Sequence, residues 1–151
     1  MTPREEAQRW RRQAEADLRT ANKMFTNSEF GACSFYSQQA AEKSLKALLY
    51  AKGIRMFGHS LAGLLGRLTD EGFSEPDNSS REAAKALDEH YISARYPDAF
   101  ESKIPDDEYT AEMAREALQW AQALMRYSGE NLASLKNESE EEKPSPNTPN
   151  D

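Results

Sequence analysis

The stretch Gln38-Gln39-Ala40-Ala41-Glu42-Lys43-Ser44-Leu45-Lys46-Ala47-Leu48-Leu49 decides the fold. It consists almost wholly of strong helix formers, and its apolar residues recur at steps of three and four. The same pattern extends the helix from about Ser28 to Ala51, with Asn27 or Ser28 as the cap and Gly53 just past the end. On a helical wheel Phe30, Cys33, Ala41, Leu45 and Leu48 share one face. Tyr36, Ala40 and Ala47 widen the apolar arc on one side and Leu49 on the other, leaving a wedge for Gln39, Glu42, Lys43 and Lys46. So broad an arc predicts a helix that is central to its bundle or shared with a second subunit.

Working outward, four more helical segments are predicted. Thr2, Pro3 and Glu5-Glu6 supply a cap, a first-turn proline and acids at the positive dipole end, opening a helix from Pro3 to Phe25. Its stripe is Ala7, Trp10, Ala14, Leu18, Ala21 and Phe25, and Asp17 at the stripe's edge calls for a basic neighbour. A short helix runs from Ser60 to Leu68, behind Gly58 and His59. A fourth, from Ser79 to Ala94, must stop before Pro97, and residues 97–107 read as a connection. The last runs from Tyr109-Thr110 to Leu135, with enough alanine on its stripe to imply close helix approach. Nothing alternates as a strand does. From Asn137 to Asp151 the chain is Glu, Pro, Ser, Asn and Thr without a large apolar residue, which predicts a disordered acidic tail behind a single domain over 1–136.

The totals bound the function. Hydrophobic residues make up 38%, charged residues 30%, and the formal net charge is −7, the composition of a soluble globular domain. Such acidity argues against nonspecific nucleic-acid binding, which rests on phosphate neutralisation. The tail, however, sets Glu138, Glu140, Glu141, Glu142 and Asp151 against Lys143, taking four of the seven negatives and leaving −3 on the folded part. A local basic patch is compatible with that. One cysteine allows no internal disulfide, and no signal peptide or membrane span is expected, so the reading is cytoplasmic. Phosphate-loop, GxSxG, HExxH and paired-cysteine patterns are absent, and no cofactor or metal is expected. Cys33, on the apolar face, reads as a small buried hydrophobe.

A second unusual stretch is Tyr91-Ile92-Ser93-Ala94-Arg95-Tyr96-Pro97-Asp98. An arginine at a helix C-terminus suits the dipole. It can hold carbonyls, pair with Asp98, or present its fork to a phosphate.

In this order, the Gln38–Leu49 helix, His59-Ser60-Leu61 and Arg95-Tyr96-Pro97-Asp98 resemble the HEPN domain (higher eukaryotes and prokaryotes nucleotide-binding), in its RYPD-containing prokaryotic branch. Ala14, Asp17-Leu18 and Ala21 match its first helix, and Tyr109, Ala114, Ala117 and Ala121 its last. The resemblance implies an all-α, up-and-down bundle of four long helices plus one short helix. It further implies a homodimer and a small nucleotidyltransferase partner, often as a toxin–antitoxin pair. Many members are metal-independent ribonucleases, marked by an arginine followed four to six residues later by a histidine. Here those positions hold Ala99, Phe100 and Glu101, so the family's acid/base is missing. His90 precedes Arg95 by five residues and is no obvious substitute. His59 matches a recurrent His-x-Leu of the family.

Three readings follow. One is a dimeric nucleotide- or RNA-binding module with Lys43, Lys46, Arg95, Tyr96 and Asp98 as contacts and no catalysis of its own. Another is a ribonuclease with a degenerate site, Arg95 holding phosphate and His59, Asp98 or Tyr96 assisting. The third is an adaptor bundle.

Overall fold

The computed structural model describes the backbone of residues 1–141 and the side chains of residues 1–135. It is helical, with no strand among the described residues. Helix α1 spans Pro3–Thr26, α2 Phe30–Ala51, α3 Leu61–Asp70, α4 Asn78–Asp88, α5 His90–Ser93, α6 Pro105–Glu108 and α7 Ala111–Glu141, with a 3-10 turn at Pro97–Ala99. None of these helices is long and apolar enough to cross a membrane.

Local chemistry explains where they begin. Thr2 and Glu5 form a reciprocal capping box: Glu5 N–H donates to Thr2 Oγ1 at 3.1 Å, and Thr2 N–H donates to Glu5 Oε2 at 2.8 Å. Asp77 caps α4 by accepting from Ser80 N–H at 2.7 Å. Ser60 caps α3, and Asp88 at the end of α4 accepts from Leu61 N–H at 2.6 Å and Ala62 N–H at 3.2 Å, tying α3 to α4. The start of α2 differs from expectation. Asn27 closes α1, Ser28 adopts a left-handed φ of 61°, and Glu29 precedes α2 without a side-chain cap. The α1–α2 reversal is therefore a tight turn, not a capped start.

The bundle alternates direction. Arg11 Nη1 donates to Met125 O at 2.9 Å, while Ala21 packs with Cys33 and Ala114, so α1 and α7 are antiparallel. Ser128 Oγ donates to Ser44 O at 2.6 Å, and Cys33 lies against Ala114 O, so α2 and α7 run parallel. The Tyr127 hydroxyl donates to Ser74 O, and His90 meets Tyr109, which makes α4 antiparallel to α7. Helices α1, α2, α4 and α7 thus make the up-and-down bundle, in which α4 has only 11 residues, and α3, with 10, and the one-turn α5 and α6 are added to it. Thirteen of the 22 residues of α2 are buried, which puts it at the centre. Leu45, Leu48, Leu49, Leu61, Leu64, Leu68, Leu87 and Leu124 form the main core. Alanines at 14, 21, 40, 41, 114, 117 and 121, all fully buried, let α1, α2 and α7 approach closely.

Three boundaries are corrected. The helix expected from Ser79 to Ala94 is interrupted at Glu89, where its last turn becomes α5. The connection over 97–107 contains two short proline-started turns that the proline count alone did not reveal. Helix α7 continues to Glu141, past the expected tail start at Asn137. The rest of that expected tail, 142–151, lies outside the described residues.

His90 shows why the break matters. It points inward, its Nδ1 is 2.6 Å from the Tyr109 hydroxyl, and its ring lies parallel to Trp120. Burial lowers its pKa to about 4 from an ordinary 6.5, so the folded protein holds it neutral. The unfolded chain binds that proton more readily, and stability present above pH 6.5 is lost as pH falls toward 4. The loss attributable to this residue is up to about 3 kcal/mol. Urea unfolding followed across that window should show a shallower pH dependence for His90→Gln than for the natural chain. Parallel profiles would show that His90 titrates normally.

Candidate functional site

Helix α2 carries Gln38, Glu42 and Lys46 one turn apart on a single side. Of the polar wedge of Gln39, Glu42, Lys43 and Lys46, two members are buried: Glu42 is 4% exposed and Lys46 7%. The segment between α2 and α3 lies across it and delivers His59. Glu42 Oε1 is 3.0 Å from His59 Nδ1, and Glu42 Oε2 accepts from Lys46 Nζ at 3.3 Å. Gln38 Nε2 donates at 3.3 Å both to Glu42 Oε1 and to the His59 carbonyl. One buried carboxylate thus gathers a lysine, an amide and a histidine, so its desolvation is offset by hydrogen bonds and charge together.

His59 is half exposed at the surface end of this network. A carboxylate at Nδ1 selects the Nδ1–H tautomer and leaves the lone pair on Nε2, at the other edge of the ring. The imidazole stacks on Tyr91 with ring centroids 4.1 Å apart and planes 18° apart. Tyr91 comes from α5, and Arg95 follows just past that helix's end. The Arg95 guanidinium carbon sits 4.3 Å from the Phe35 ring centroid, 4.7 Å from Tyr91 and 5.0 Å from Tyr96. Its Nε and Nη2 donate to Tyr91 O at 2.8 and 2.6 Å. Of the sequence alternatives for Arg95, carbonyl holding is present, and no Arg95–Asp98 ion pair occurs among the described residues. The remaining N–H donors of an exposed, fully charged group are uncommitted there. Nearby aromatic faces favour the cation without neutralising it.

The structure therefore brings Lys46, His59, Arg95 and Tyr96 into one neighbourhood through Glu42 and Tyr91. Lys43 does not join it. One residue on from Glu42, about 100° round the helix axis, it reaches α1 and pairs with Asp17 at 2.5 Å, which also accepts from Gln13 Nε2 at 2.9 Å. That supplies the basic partner expected for Asp17. Asp98 is exposed in the 3-10 turn. His90 is turned into the core, and Cys33 is fully buried with its thiol pushed up to about 11 by burial, so neither belongs to the site. Among the described residues no group of three or more His, Cys, Asp and Glu side chains is placed to hold a metal.

Glu42, Tyr91 and Phe35 were not among the site residues expected from the sequence, although Tyr91 opens the second unusual stretch. Glu42 looked like an ordinary i,i+4 partner of Lys46. The available signal was the spacing Gln38-Glu42-Lys46, three polar residues aligned on a helix whose other faces are already apolar.

Removing Glu42 strands the Lys46 ammonium in the protein. Glu42→Ala should cost about 3 kcal/mol in urea unfolding, and the double variant Glu42→Ala/Lys46→Met should recover most of it. Equal destabilisation in single and double variants would show that the pair is not a coupled buried unit.

A family model described as the HEPN domain matches residues 7–132. Among solved structures, TT1696 from Thermus thermophilus superposes with a TM-score of 0.80 at 38% identity, covering 83% of this chain and 98% of that one. ST0689, an archaeal HEPN homologue, gives 0.70 at 30% identity, covering 84% and 98%. The HEPN domain protein TM0613 from Thermotoga maritima gives 0.67 at 26% identity, covering 83% and 98%. A relative from Methanocaldococcus jannaschii, MJ1304, named as a candidate toxin, is 27% identical over 121 residues, 76% of this chain and 80% of its own. A match over so much of the chain, with solved relatives that superpose on the same helices, means that this protein belongs to the HEPN domain family.

Proposed function

We propose that this protein is a HEPN module that binds the phosphate of a nucleotide or RNA at the Arg95–Tyr91–His59 surface. In this reading it is a cytoplasmic homodimer acting with a small nucleotidyltransferase protein, in the manner of a toxin–antitoxin pair. The observation that carries the proposal is the preparation of Arg95. Its guanidinium lies against the rings of Phe35, Tyr91 and Tyr96 and two of its donors are held by the Tyr91 carbonyl, so little side-chain freedom remains to be lost when its other donors meet an anion. His59 beside it adds a second polar contact at Nε2, and the aromatic faces suit a base or ribose.

The assembly part of the reading rests on exposed apolar side chains. Phe57, Ile92, Tyr96 and Ile104 are exposed, and Tyr96 lies against Arg95. Phe57 lies two residues before His59, and Ile92 and Tyr96 bracket Arg95 in sequence. Large exposed apolar groups are what a dimer or partner interface presents. The relative named as a candidate toxin adds support for the toxin-type context.

A second reading, metal-independent RNA cleavage, is favoured by one specific feature: Glu42 holds His59 with Nε2 free to accept a proton. In that chemistry the 2′-hydroxyl loses its proton to Nε2 and attacks the neighbouring phosphorus. The P–O5′ bond breaks to give a 2′,3′-cyclic phosphate, the departing 5′-oxygen takes a proton from water to leave as a hydroxyl, and Arg95 stabilises the charge gathering on the non-bridging oxygens.

One experiment separates the two. The protein, Arg95→Ala and His59→Ala are incubated with mixed RNA in chelator, while uridine monophosphate binding is followed by calorimetry. The binding reading expects intact RNA and at least about tenfold weaker nucleotide binding for Arg95→Ala, the loss of a charge-assisted contact worth about 1.5–3 kcal/mol. Cleavage by the natural chain that both variants lose would replace it with the ribonuclease reading. Light scattering on Ile92→Asp tests the assembly: a dimer should become a monomer, and a natural chain that is already monomeric sinks that part of the proposal.

A further inference from the structure

The side of α1 away from the core carries a second concentration of positive charge. Arg9, Arg12, Arg19 and Lys23 fall at helical steps that keep them in one row, with Ala16 in the middle. The row is about 21 Å long at the helical rise per residue. All four cations are exposed. Beside the row an open groove of about 520 Å³ is lined by Arg9, Arg12, Arg19, Trp10, Gln13 and, from α2, Lys43. Glu15 is the one carboxylate among its lining residues, and Arg11 reaches it at 3.5 Å. Arg9 is matched by Glu6 and Lys43 by Asp17. Arg12 and Arg19, about 10 Å apart along the axis, make no ion pair or side-chain hydrogen bond among the described residues.

On a chain of net charge −7, two unmatched arginines in a cationic groove are a local reversal of sign. A compact anion would engage one end of it, whereas a row this long fits an extended polyanion. Two features favour nucleic acid over an acidic protein. Arginine, whose fork matches phosphate, outnumbers lysine in the groove. Trp10, half-buried and stacked on Tyr50 at 4.8 Å, is an aromatic wall of the same groove, the combination that single-stranded nucleic-acid channels use.

We infer that the α1 groove is a track for the phosphate backbone of single-stranded RNA, engaged by Arg12 and Arg19 and separate from the Arg95 surface. The inference builds on the reading of the protein as RNA-associated. The groove supplies affinity without sequence choice.

The test is fluorescence anisotropy with a labelled oligouridine of about 20 nucleotides, several groove lengths by the usual site sizes, over a series of KCl concentrations. Arg12→Gln/Arg19→Gln should bind about tenfold more weakly at low salt. Its log–log salt slope should be shallower by about 1.4, two phosphate contacts for a single strand. Glu15→Gln, which removes the groove's carboxylate, should bind more tightly than the natural chain. All three substitutions are at exposed helix positions, and unchanged circular dichroism will show that the fold is kept. Arg95→Ala, measured alongside with the oligouridine and with uridine monophosphate, keeps the two surfaces apart. Loss of mononucleotide binding there with the groove variant unaffected on RNA overturns the groove and leaves the Arg95 reading standing. The reverse pattern supports the groove and removes the Arg95 reading. Natural affinity and slope in the double variant overturn the inference. So does loss confined to a polyglutamate competitor, which would mark the groove as a seat for an acidic protein.

Discussion

Helix α2 is enclosed by α1 and α7 on two sides and by α3, α4 and α5 on others, so a polar side chain it carries must find its partners inside the protein. Water cannot satisfy Glu42 or Lys46 where they sit, and leaving either alone would cost several kcal/mol. The structure meets this demand by laying the α2–α3 connection over the helix, so that His59 and its carbonyl complete the hydrogen bonding begun by Gln38 and Lys46. The position of His59 is thus a consequence of burying Glu42. Once His59 is fixed, Tyr91 stacks on it, and the α5 turn that bears Tyr91 also sets Arg95.

This dependence gives the candidate site its rigidity. Groups that must recognise phosphate lose affinity when they have to be ordered on binding. Arg95 is restrained by three aromatic rings and a carbonyl, and His59 by a buried carboxylate. Both belong to short segments, a connection and the end of a four-residue helix, which in isolation would have little structure. The core, through Glu42, compensates for that weakness. The interruption at Glu89 contributes too: the chain turns His90 inward to Tyr109 and Trp120 while Tyr91 and Arg95 remain at the surface.

The helices were legible because their signals are local. The Thr2 cap, the Ala and Leu stripes and the terminator at Pro97 each act within a few residues, and each appears where the sequence places it. The central position of α2 was legible from its apolar arc. The Glu42 network was not, because the pattern Gln38-Glu42-Lys46 reads as a solvated face until one knows what lies over it, and the covering segment comes from 21 residues away. The same limit separated Lys43 from Lys46. A helical wheel puts them in one wedge, whereas the packing sends Lys43 to Asp17 on α1 and Lys46 to Glu42 under His59. The turn at Ser28 was missed because a serine with a left-handed φ has no strong residue preference to announce it.

Adjacent residues of α2 thus anchor two different surfaces. Glu42 faces the Arg95 side and Lys43 the α1 side, about 100° apart round the axis of one rigid helix. Each surface carries arginine N–H donors without a side-chain acceptor among the described residues, and the two differ in kind. Around Arg95 the donors are few and lie against aromatic rings, and His59 stacks on one of the same rings, Tyr91, an arrangement that under the proposed reading would meet one phosphate and its neighbouring ribose and base. Along α1 the cations are spread and only partly matched, an arrangement that responds to charge density. Glu42 and Lys43 anchor the two surfaces from one buried helix, so under the proposed reading a strand seated in the groove by its backbone would reach the Arg95 surface only at a set distance along its length. Backbone contacts that fix register while a second set reads chemistry are a general division of labour in nucleic-acid recognition, and here the partition of Glu42 from Lys43 is what would impose it.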